Sequence, residues 1–311
     1  YTGQPLEKFG KYILLTNFSN YVDWFAKWHK VEVVGIGKPM QCATAEDITI
    51  INFGMGSPTA ATVMDLLTAI EPEAVLFLGK CGGLKRRNKI GDLILPIAAI
   101  RGEGTSDDYF PKEVPAMPAF ALQKAISTTI RDYEVDYWTG TVYTTNRRVW
   151  EHDEDFKTYL QRIRAYAIDM ETATIFTVGF YNKIPTGALL LVSDQPMTPE
   201  GVKTEESDKK VTENFVQSHL QIGIDALKIK NFINSAYSSL DIRNGICATM
   251  FTNFTDFDNM LYSDVLYPNN HDEEVIDKAY WNWFDSANDT IKYFTIYELE
   301  NGSIDDIEFT T

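Results

Sequence analysis

Two segments of the sequence place an acidic residue where a strand is predicted to end. Ala167–Ile168 lead into Asp169-Met170-Glu171, and the β-rich run Ala188–Val192 leads into Ser193-Asp194. Open α/β sheets hold their ligands at the carboxyl ends of strands. Two carboxylates in different surroundings can divide the work at a sugar bond, one holding hydroxyls while the other gives a proton to the leaving group. Glu171 and Asp194 therefore predict catalysis at an N-glycosidic bond.

Two glycine-rich segments follow predicted strands and offer backbone N–H groups. Gly54-Met55-Gly56-Ser57-Pro58 joins a strand to a helix, with Ser57 as the expected N-cap and Pro58 at the first helical position. Closely spaced glycines let N–H groups approach an anion or a polarised water. Gly54 and Gly56 are therefore candidate binding residues, although a tight turn alone gives the same pattern.

Gly79-Lys80-Cys81-Gly82-Gly83 is expected to form a second turn of this kind, after the buried strand Ala74–Leu78. Lys80 adds a cation beside a predicted nest of backbone N–H groups, and Gly82 allows close approach. Lys80 and Gly82 are candidate binding residues; the alternative is a tight turn with a solvated lysine.

Cationic and aromatic residues follow the predicted strand Thr139–Thr145. Arginine binds phosphate in a bidentate manner, and an aromatic ring can stack on a base, so Arg148 and Trp150 join the candidates. An ordinary surface loop is the alternative. Met170 and Ser193 are included as substrate-binding residues because they flank Asp169, Glu171 and Asp194.

The elements that must position these residues alternate between strand and helix. This alternation predicts an α/β fold in which a mixed central β-sheet is flanked by helices. The expected strands are Tyr12–Thr16, Val31–Ile36, Ile48–Phe53, Ala74–Leu78, Asp92–Ile100, Thr139–Thr145 and Gly187–Val192. The expected helices are Tyr21–Trp28, Ser57–Ile70, Pro118–Arg131, Glu171–Tyr181 and Val211–Ile229.

The composition changes after about residue 231, which predicts a catalytic domain over 1–231 and a small acidic α+β appendage over 232–311. From Asp241 onward there are 15 acidic and 3 basic residues, which accounts for most of the net charge of −16. Many aromatic residues argue against disorder there, and we expect a helix near Glu273–Phe284 and a strand near Ile291–Leu299. The appendage can serve packing, oligomerisation or a basic protein partner.

The overall composition narrows the class of protein. Hydrophobic residues make up 44% and charged residues 23% of the chain, and no apolar run approaches the roughly 18 residues of a membrane helix. The amino end, Tyr1–Pro5, is polar and has no starting Met, so we expect no signal peptide and a natural terminus further upstream. Three scattered cysteines suit a reducing cytoplasm, and four dispersed histidines predict no metal site.

The order and spacing of these motifs resemble the nucleoside phosphorylase and nucleosidase superfamily, and more narrowly the short AMP nucleosidases, over roughly residues 10 to 230. The resemblance rests on Gly54–Pro58, Gly79–Gly83, Gly140–Thr145, Ile168–Ala173, Val192–Pro196 and His219–Ile224. It implies hydrolysis of AMP to adenine and ribose 5-phosphate in purine salvage, without a cofactor, by a cytoplasmic trimer or hexamer. No membrane or nucleic-acid partner is implied.

The resemblance also implies roles for single residues. Glu171 would bind the ribose hydroxyls with Met170 against the sugar, Asp194 would protonate N7 of the purine, and Gly54–Gly56 would lie near the anomeric carbon. Phosphorolytic members carry an arginine where this chain has Phe77, which favours water as the nucleophile.

Lys80 and Arg148 could then serve the 5′-phosphate. The alternatives are phosphorolysis or hydrolysis of unphosphorylated purine nucleosides, or nucleotide binding without turnover.

Overall fold

The computed structural model describes residues 1–198, 201, 205–239, 278–285, 290–297 and 307–310. Contacts within the chain divide it into two units, Tyr1–Lys230 and Asn231–Thr311. Among the described residues, no helix combines the length and the apolar character that a bilayer crossing requires.

The first unit is built on one eight-stranded mixed sheet. Its strands run in the order β2-β3-β1-β4-β7-β6-β5-β8, and a further pairing of β4 with β8 closes the last five strands into a barrel. β4 lies parallel to both β1 and β8, so the carboxyl ends of these three strands meet at one edge. The strands are β1 (Tyr12–Thr16), β2 (Gln41–Ala45), β3 (Ile48–Asn52), β4 (Ala74–Gly83), β5 (Leu93–Gly102), β6 (Tyr137–Thr145), β7 (Ala167–Asp169) and β8 (Thr186–Asp194).

Helices cover this sheet and create two apolar layers. Because side chains alternate along a strand, Val75 and Phe77 of β4 enter one core cluster while Leu76 and Leu78 enter the other. The helix after β7 is buried from Thr172 to Gly179, as expected for a helix enclosed by the fold. The helices are α1 (Ser19–His29), α2 (Ser57–Leu66), α3 (Phe120–Asp132), α4 (Glu154–Arg162), α5 (Thr172–Tyr181) and α6 (Glu205–Ser239), of which α6 belongs to this unit as far as Lys230.

The predicted fold class, a mixed central sheet flanked by helices, is confirmed, but several elements differ from the prediction. Residues 31–36 form no strand; only Val34 makes an isolated bridge to Cys42. The following strand β2 and the helix α4 were not predicted. β2 has the sequence Gln-Cys-Ala-Thr-Ala, whose small and polar side chains do not indicate a strand. It is stabilised by antiparallel pairing with β3.

The predicted turn at Gly79–Gly83 was wrong. β4 continues through Gly83, because β8 pairs with it as far as Gly82 and β7 pairs with its last two residues. The register shifts between Cys81 and Gly82, which marks a bulge in the strand. Neighbouring strands have therefore overridden the weak strand propensity of glycine.

The described part of the second unit contains an antiparallel three-stranded sheet in the order β11-β10-β9. Its strands are β9 (Lys278–Asp285), β10 (Thr290–Tyr297) and β11 (Ile307–Thr310). The helix expected near Glu273–Phe284 is wrong over its described residues, which belong to β9. Aromatic side chains favour strands, and Phe294 of β10 lies opposite Trp281 and Phe309.

Candidate active site

A cleft opens where β1, β4, β6, β7 and β8 end. It encloses about 680 Å³ of space when its open mouth is included. The lining residues are Asn17, Phe18, Met55, Lys80, Cys81, Gly82, Thr145, Arg147, Arg148, Trp150, Glu151, Ile168, Asp169, Met170, Glu171, Ser193 and Asp194. Both predicted carboxylates therefore reach one cavity, together with Met170, Lys80, Gly82, Arg148, Trp150 and Ser193.

Glu171 forms the floor of the cleft. It is the N-cap residue of α5 and only 4% exposed. Its Oε1 accepts a 2.7 Å hydrogen bond from the Gly56 N–H, and its Oε2 accepts one of 3.3 Å from the Met170 N–H. Burial, and secondly the neighbouring Asp169, raise the pKa of Glu171 to about 8 against the opposing effect of these donors.

The backbone of the glycine turn holds two residues that line the cleft. Gly56 has φ 94° and ψ 158°, a conformation that essentially only glycine adopts, and this aims its N–H at Glu171. Gly54, with φ 86°, accepts a 2.7 Å hydrogen bond from Asn17 Nδ2. Gly54 and Gly56 do not themselves line the cavity, but they fix two residues that do.

The predicted N-cap of α2 was wrong. The N-cap residue is Gly56, and Ser57 already lies within the helix. The Ser57 hydroxyl instead donates a 2.7 Å hydrogen bond to the Met170 carbonyl. Together with the contact between Gly56 and Glu171, this bond joins the start of α2 to the start of α5 beneath the cleft.

Asp169 is a second buried carboxyl group, which the sequence analysis did not name as a site residue. It accepts hydrogen bonds of 2.7 Å from Thr144 Oγ1 and 2.8 Å from the Thr172 N–H. Burial raises the pKa of Asp169, and these donors oppose the rise. Its position as the last residue of β7 was the available signal, because ligands bind at the carboxyl ends of strands.

Asp194 ends β8 on another wall of the cleft and is 9% exposed. Its Oδ1 accepts a 2.6 Å hydrogen bond from the Ser193 hydroxyl. Across the strand pair lies Gly82, where an added Cβ would come within 2.8 Å of Pro196 Cγ. Glycine at this bulge therefore lets the segment that carries Asp194 approach β4 closely.

Lys80 is a cation held inside the cleft. It is 9% exposed, and its Nζ donates a 3.0 Å hydrogen bond to Thr212 Oγ1 of α6. The same ammonium lies 4.4 Å from the centre of the Phe18 ring, which is a cation–π contact.

The mouth of the cleft carries two arginines after β6. Arg148 Nη1 lies 3.8 Å from Glu151 Oε1 and its side chain is 55% exposed, while Arg147 pairs with Asp153 at 2.8 Å. Such exposed pairs are weak and can exchange a carboxylate for another anion. Trp150 is almost fully buried beside them and meets Phe156 edge to face at 5.4 Å.

Several lining residues were missed by the sequence analysis, among them Asn17, Phe18, Thr145 and Glu151. Asn17 and Phe18 directly follow β1, so the rule that ligands bind at the carboxyl ends of strands would have found them. Glu151 and Arg147 flank Arg148 and Trp150, which were predicted. These residues have no distinctive type or spacing of their own.

A family model described as the phosphorylase superfamily matches residues 11–228. The chain belongs to this superfamily. Within it, the chain is similar to AMP nucleosidases, a crystal structure of one of which, from Bacteroides thetaiotaomicron VPI-5482, is 56% identical with a TM-score of 0.68. That alignment covers 76% of this chain and 94% of the solved one.

Two further relatives have lower sequence identity to the chain. AMP nucleosidase of Escherichia coli K12 is 31% identical over 275 residues, an alignment that covers 74% of this chain and 57% of that protein. The chain thus spans little more than half the length of this curated relative. A uridine phosphorylase structure from Vibrio fischeri ES114, with 22% identity and a TM-score of 0.64, shares the fold.

Proposed function

We propose that this protein hydrolyses the N-glycosidic bond of AMP and releases adenine and ribose 5-phosphate. The observation that carries the proposal is the meeting of Glu171 and Asp194 in one cleft that also contains Lys80 and Arg148. This arrangement provides separate groups for the sugar, the base and the phosphate. The similarity to AMP nucleosidases supports the same substrate.

Asp194 is the proposed general acid. Adenine is a poor leaving group as an anion, so a proton delivered to N7 lets it leave as a neutral molecule. The Ser193 hydroxyl, which donates to Oδ1, fixes the rotation of the carboxyl group. General acid catalysis of this kind contributes about 10²–10⁴-fold to a rate.

Glu171 is the proposed ligand of the ribose hydroxyls. As the bond to adenine breaks, the sugar acquires positive charge, and an ionised carboxylate that accepts hydrogen bonds from the hydroxyls stabilises this charge. The Gly56 and Met170 N–H groups hold the carboxylate in place. Met170 also lines the cleft and would pack against the sugar.

Lys80 and Arg148 are the proposed ligands of the 5′-phosphate. Arg148 is exposed at the mouth and pairs only loosely with Glu151, so a phosphate can replace that carboxylate. Lys80 is nearly buried and would act as a point charge from inside the cleft. Trp150 lines the cleft beside Arg148 and is the proposed contact for the base.

Water is the proposed nucleophile. Phe77 occupies the position at which phosphorolytic members of the superfamily carry an arginine. Its ring is fully buried, 5.8 Å from the centre of the Phe53 ring, and it is absent from the described lining of the cleft. A phosphate nucleophile would therefore lack the arginine that binds it, whereas a water nucleophile requires no cation to bind it.

The test is adenine release from AMP and from adenosine, each with and without inorganic phosphate. Release from AMP without added phosphate supports the proposal. Release from adenosine only when phosphate is present would establish a phosphorylase instead. Tight binding of AMP without any release would indicate a protein that binds the nucleotide and does not turn it over.

We infer, further, that the enzyme works as a cytoplasmic homo-oligomer in purine salvage. Exposed apolar side chains on α2 and α5, namely Leu66, Phe180 and Tyr181, support self-association. Light scattering after size-exclusion chromatography tests this, and a monomer would contradict it. The acidic segment 232–311 is proposed as a separate module for packing or oligomerisation, with a basic protein partner as the alternative. A chain truncated after residue 231 that keeps its oligomeric state would contradict the oligomerisation role.

A further inference from the structure

His219 is a buried histidine of α6 that the proposed chemistry does not use. It is 1% exposed and opens His219–Ile224, one of the motifs on which the resemblance rests. Its Nε2 lies 2.9 Å from the Leu189 carbonyl of β8, and its Nδ1 lies 2.8 Å from the Tyr21 hydroxyl of α1. Burial, and to a smaller extent the charge of Lys80, lower the pKa of His219 to about 4. The ring is therefore neutral near pH 7.

The two partners of His219 fix the position of α6. Because a carbonyl can only accept, Nε2 of the neutral ring carries the proton and donates to Leu189, while Nδ1 accepts from the Tyr21 hydroxyl. One side chain thus bonds α6 both to β8 and to α1.

Thr212, on the same side of α6, reaches the cation of the cleft. Its Oγ1 accepts the 3.0 Å hydrogen bond from Lys80 Nζ. Thr212 and His219 are seven residues apart, which is about two helical turns, so their side chains project from one side of α6. That side meets two strands that pair with each other, because Lys80 belongs to β4 and Leu189 to β8.

The start of α1 also contacts the Lys80 ammonium. The Phe18 ring lies 4.4 Å from Nζ, and its centre is 6.0 Å from that of the Tyr21 ring. Tyr21 is in turn bonded to His219. The contacts therefore form a closed circuit that runs from α6 through Lys80 to α1 and back to α6. Phe18 and Thr212 are both held by the contact between the two helices.

A lysine needs such support in order to bind an anion at a fixed point. Its long stem has many rotamers, and its ammonium is a point charge without the planar geometry of arginine. The face of Phe18 attracts the charge, whereas the Thr212 hydroxyl supplies a directional acceptor. A neutral hydroxyl holds the ammonium without neutralising it, and one bond to Thr212 uses only one of its three N–H donors.

We propose that Thr212 is a positioning residue for the substrate's phosphate, which it serves by holding the Lys80 ammonium where the 5′-phosphate of AMP binds. This inference rests on the proposed function, since it requires Lys80 in the phosphate site. Thr212 is absent from the described lining of the cleft, which favours an action through Lys80 over direct contact with substrate. The helix α6 then contributes to the preference for a nucleotide over a nucleoside.

The test is the steady-state kinetics of Thr212→Val, which removes the hydroxyl while keeping the shape and a similar helix propensity. We expect KM for AMP to rise roughly threefold to tenfold with kcat nearly unchanged, because the phosphate contact is the same in the ground and transition states. Adenosine has no 5′-phosphate, so its kcat/KM should change less than about twofold. Thr212→Ser keeps the hydroxyl and should return KM for AMP close to the wild-type value.

The matched control is Asn214→Ala, an exposed position on the same turn of α6, which should leave both substrates unaffected. Thermal melting checks that every variant folds. An unchanged KM for AMP in Thr212→Val would overturn the inference. An equal loss for AMP and adenosine would also overturn it, since that pattern indicates a role in the fold alone.

A double-variant cycle tests whether Thr212 acts through Lys80. Lys80→Gln should raise KM for AMP more than Thr212→Val does. Once Lys80 is replaced, adding Thr212→Val should change KM by less than about twofold. Fully additive losses would mean that Thr212 acts independently of Lys80, which would contradict the proposal.

Failure of the proposed function is distinguishable from failure of this inference. If the wild type binds AMP but releases no adenine, the proposed hydrolysis is wrong, and calorimetric Kd values for AMP replace KM in the same set of variants. These Kd values should follow the pattern expected for KM. If the wild type hydrolyses AMP and the cycle is additive, only the role of Thr212 is wrong. A wild type that neither binds nor hydrolyses AMP would overturn both.

Discussion

The floor and the mouth of the cleft are built in opposite ways. At the floor, Glu171 and Asp169 are almost fully buried, and backbone N–H groups and threonine hydroxyls hold them. At the mouth, Arg147 and Arg148 are about half exposed and paired with carboxylates. Burial makes the floor sensitive to pH, whereas exposure makes the mouth sensitive to salt. The floor is thus suited to stabilising the transition state, and the mouth to capturing a charged substrate.

The largest effect is expected at Asp194, which lines the same cleft. Asp194→Asn removes the proton donor but keeps the shape of the side chain, so kcat for AMP should fall about 10²–10⁴-fold while KM changes little. Steady-state adenine release measures both quantities. Asp225→Asn, on α6 outside the described lining of the cleft, is the control. Turnover within threefold of wild type in Asp194→Asn would remove Asp194 from the mechanism.

Replacing Glu171 with Gln tests the floor. Gln cannot become a carboxylate, so we expect kcat/KM to fall on the order of 10²-fold at pH 8.5. Because the pKa of Glu171 is raised to about 8, wild type also loses the ionised form at lower pH. The ratio of wild-type to variant kcat/KM should therefore rise as the pH increases from 6 to 8.5. A ratio that stays constant would mean that ionisation of Glu171 is not required.

Arg148→Gln tests the mouth, with a smaller effect that depends on the substrate. Loss of one charge-assisted contact to phosphate should raise KM for AMP roughly tenfold and leave kcat nearly unchanged. The increase should shrink as the salt concentration is raised. Adenosine has no 5′-phosphate, and its kcat/KM should not change. An equal loss for both substrates would show that Arg148 supports the fold or contacts the base instead.

The sequence indicated several residues that line the cleft, but it did not indicate the backbone conformation of the segments that hold them. Glu171, Ser193 and Asp194 were identifiable because they lie at or just beyond the end of a buried strand, and Lys80 because it follows the apolar run Ala74–Leu78 within β4. The continuation of β4 through Gly83 could not be predicted, because it depends on β7 and β8, whose pairing is non-local. In the same way, the N–H of Gly56 points at Glu171 only because a contact over 115 residues brings them together.

The last expected effects are on stability, where the change at Arg148 is the smallest of all and its contrast with Glu171 distinguishes the two regions most directly. Glu171 has a folded pKa of about 8 against about 4.5 when unfolded, so the folded state retains a proton that the unfolded chain loses. Its contribution to stability is complete below pH 4.5 and is lost as the pH rises through 8.

Relative to Glu171→Gln, the free energy of unfolding of the wild type should therefore fall by a few kcal/mol between pH 5 and pH 8.5. Arg148→Gln, which breaks only an exposed pair, should differ from wild type by less than about 0.5 kcal/mol at either pH. Urea denaturation at the two pH values measures both differences. A pH-independent difference for Glu171→Gln would mean that this carboxyl group is already ionised at pH 5. The floor would then lack the pH sensitivity that separates it from the mouth.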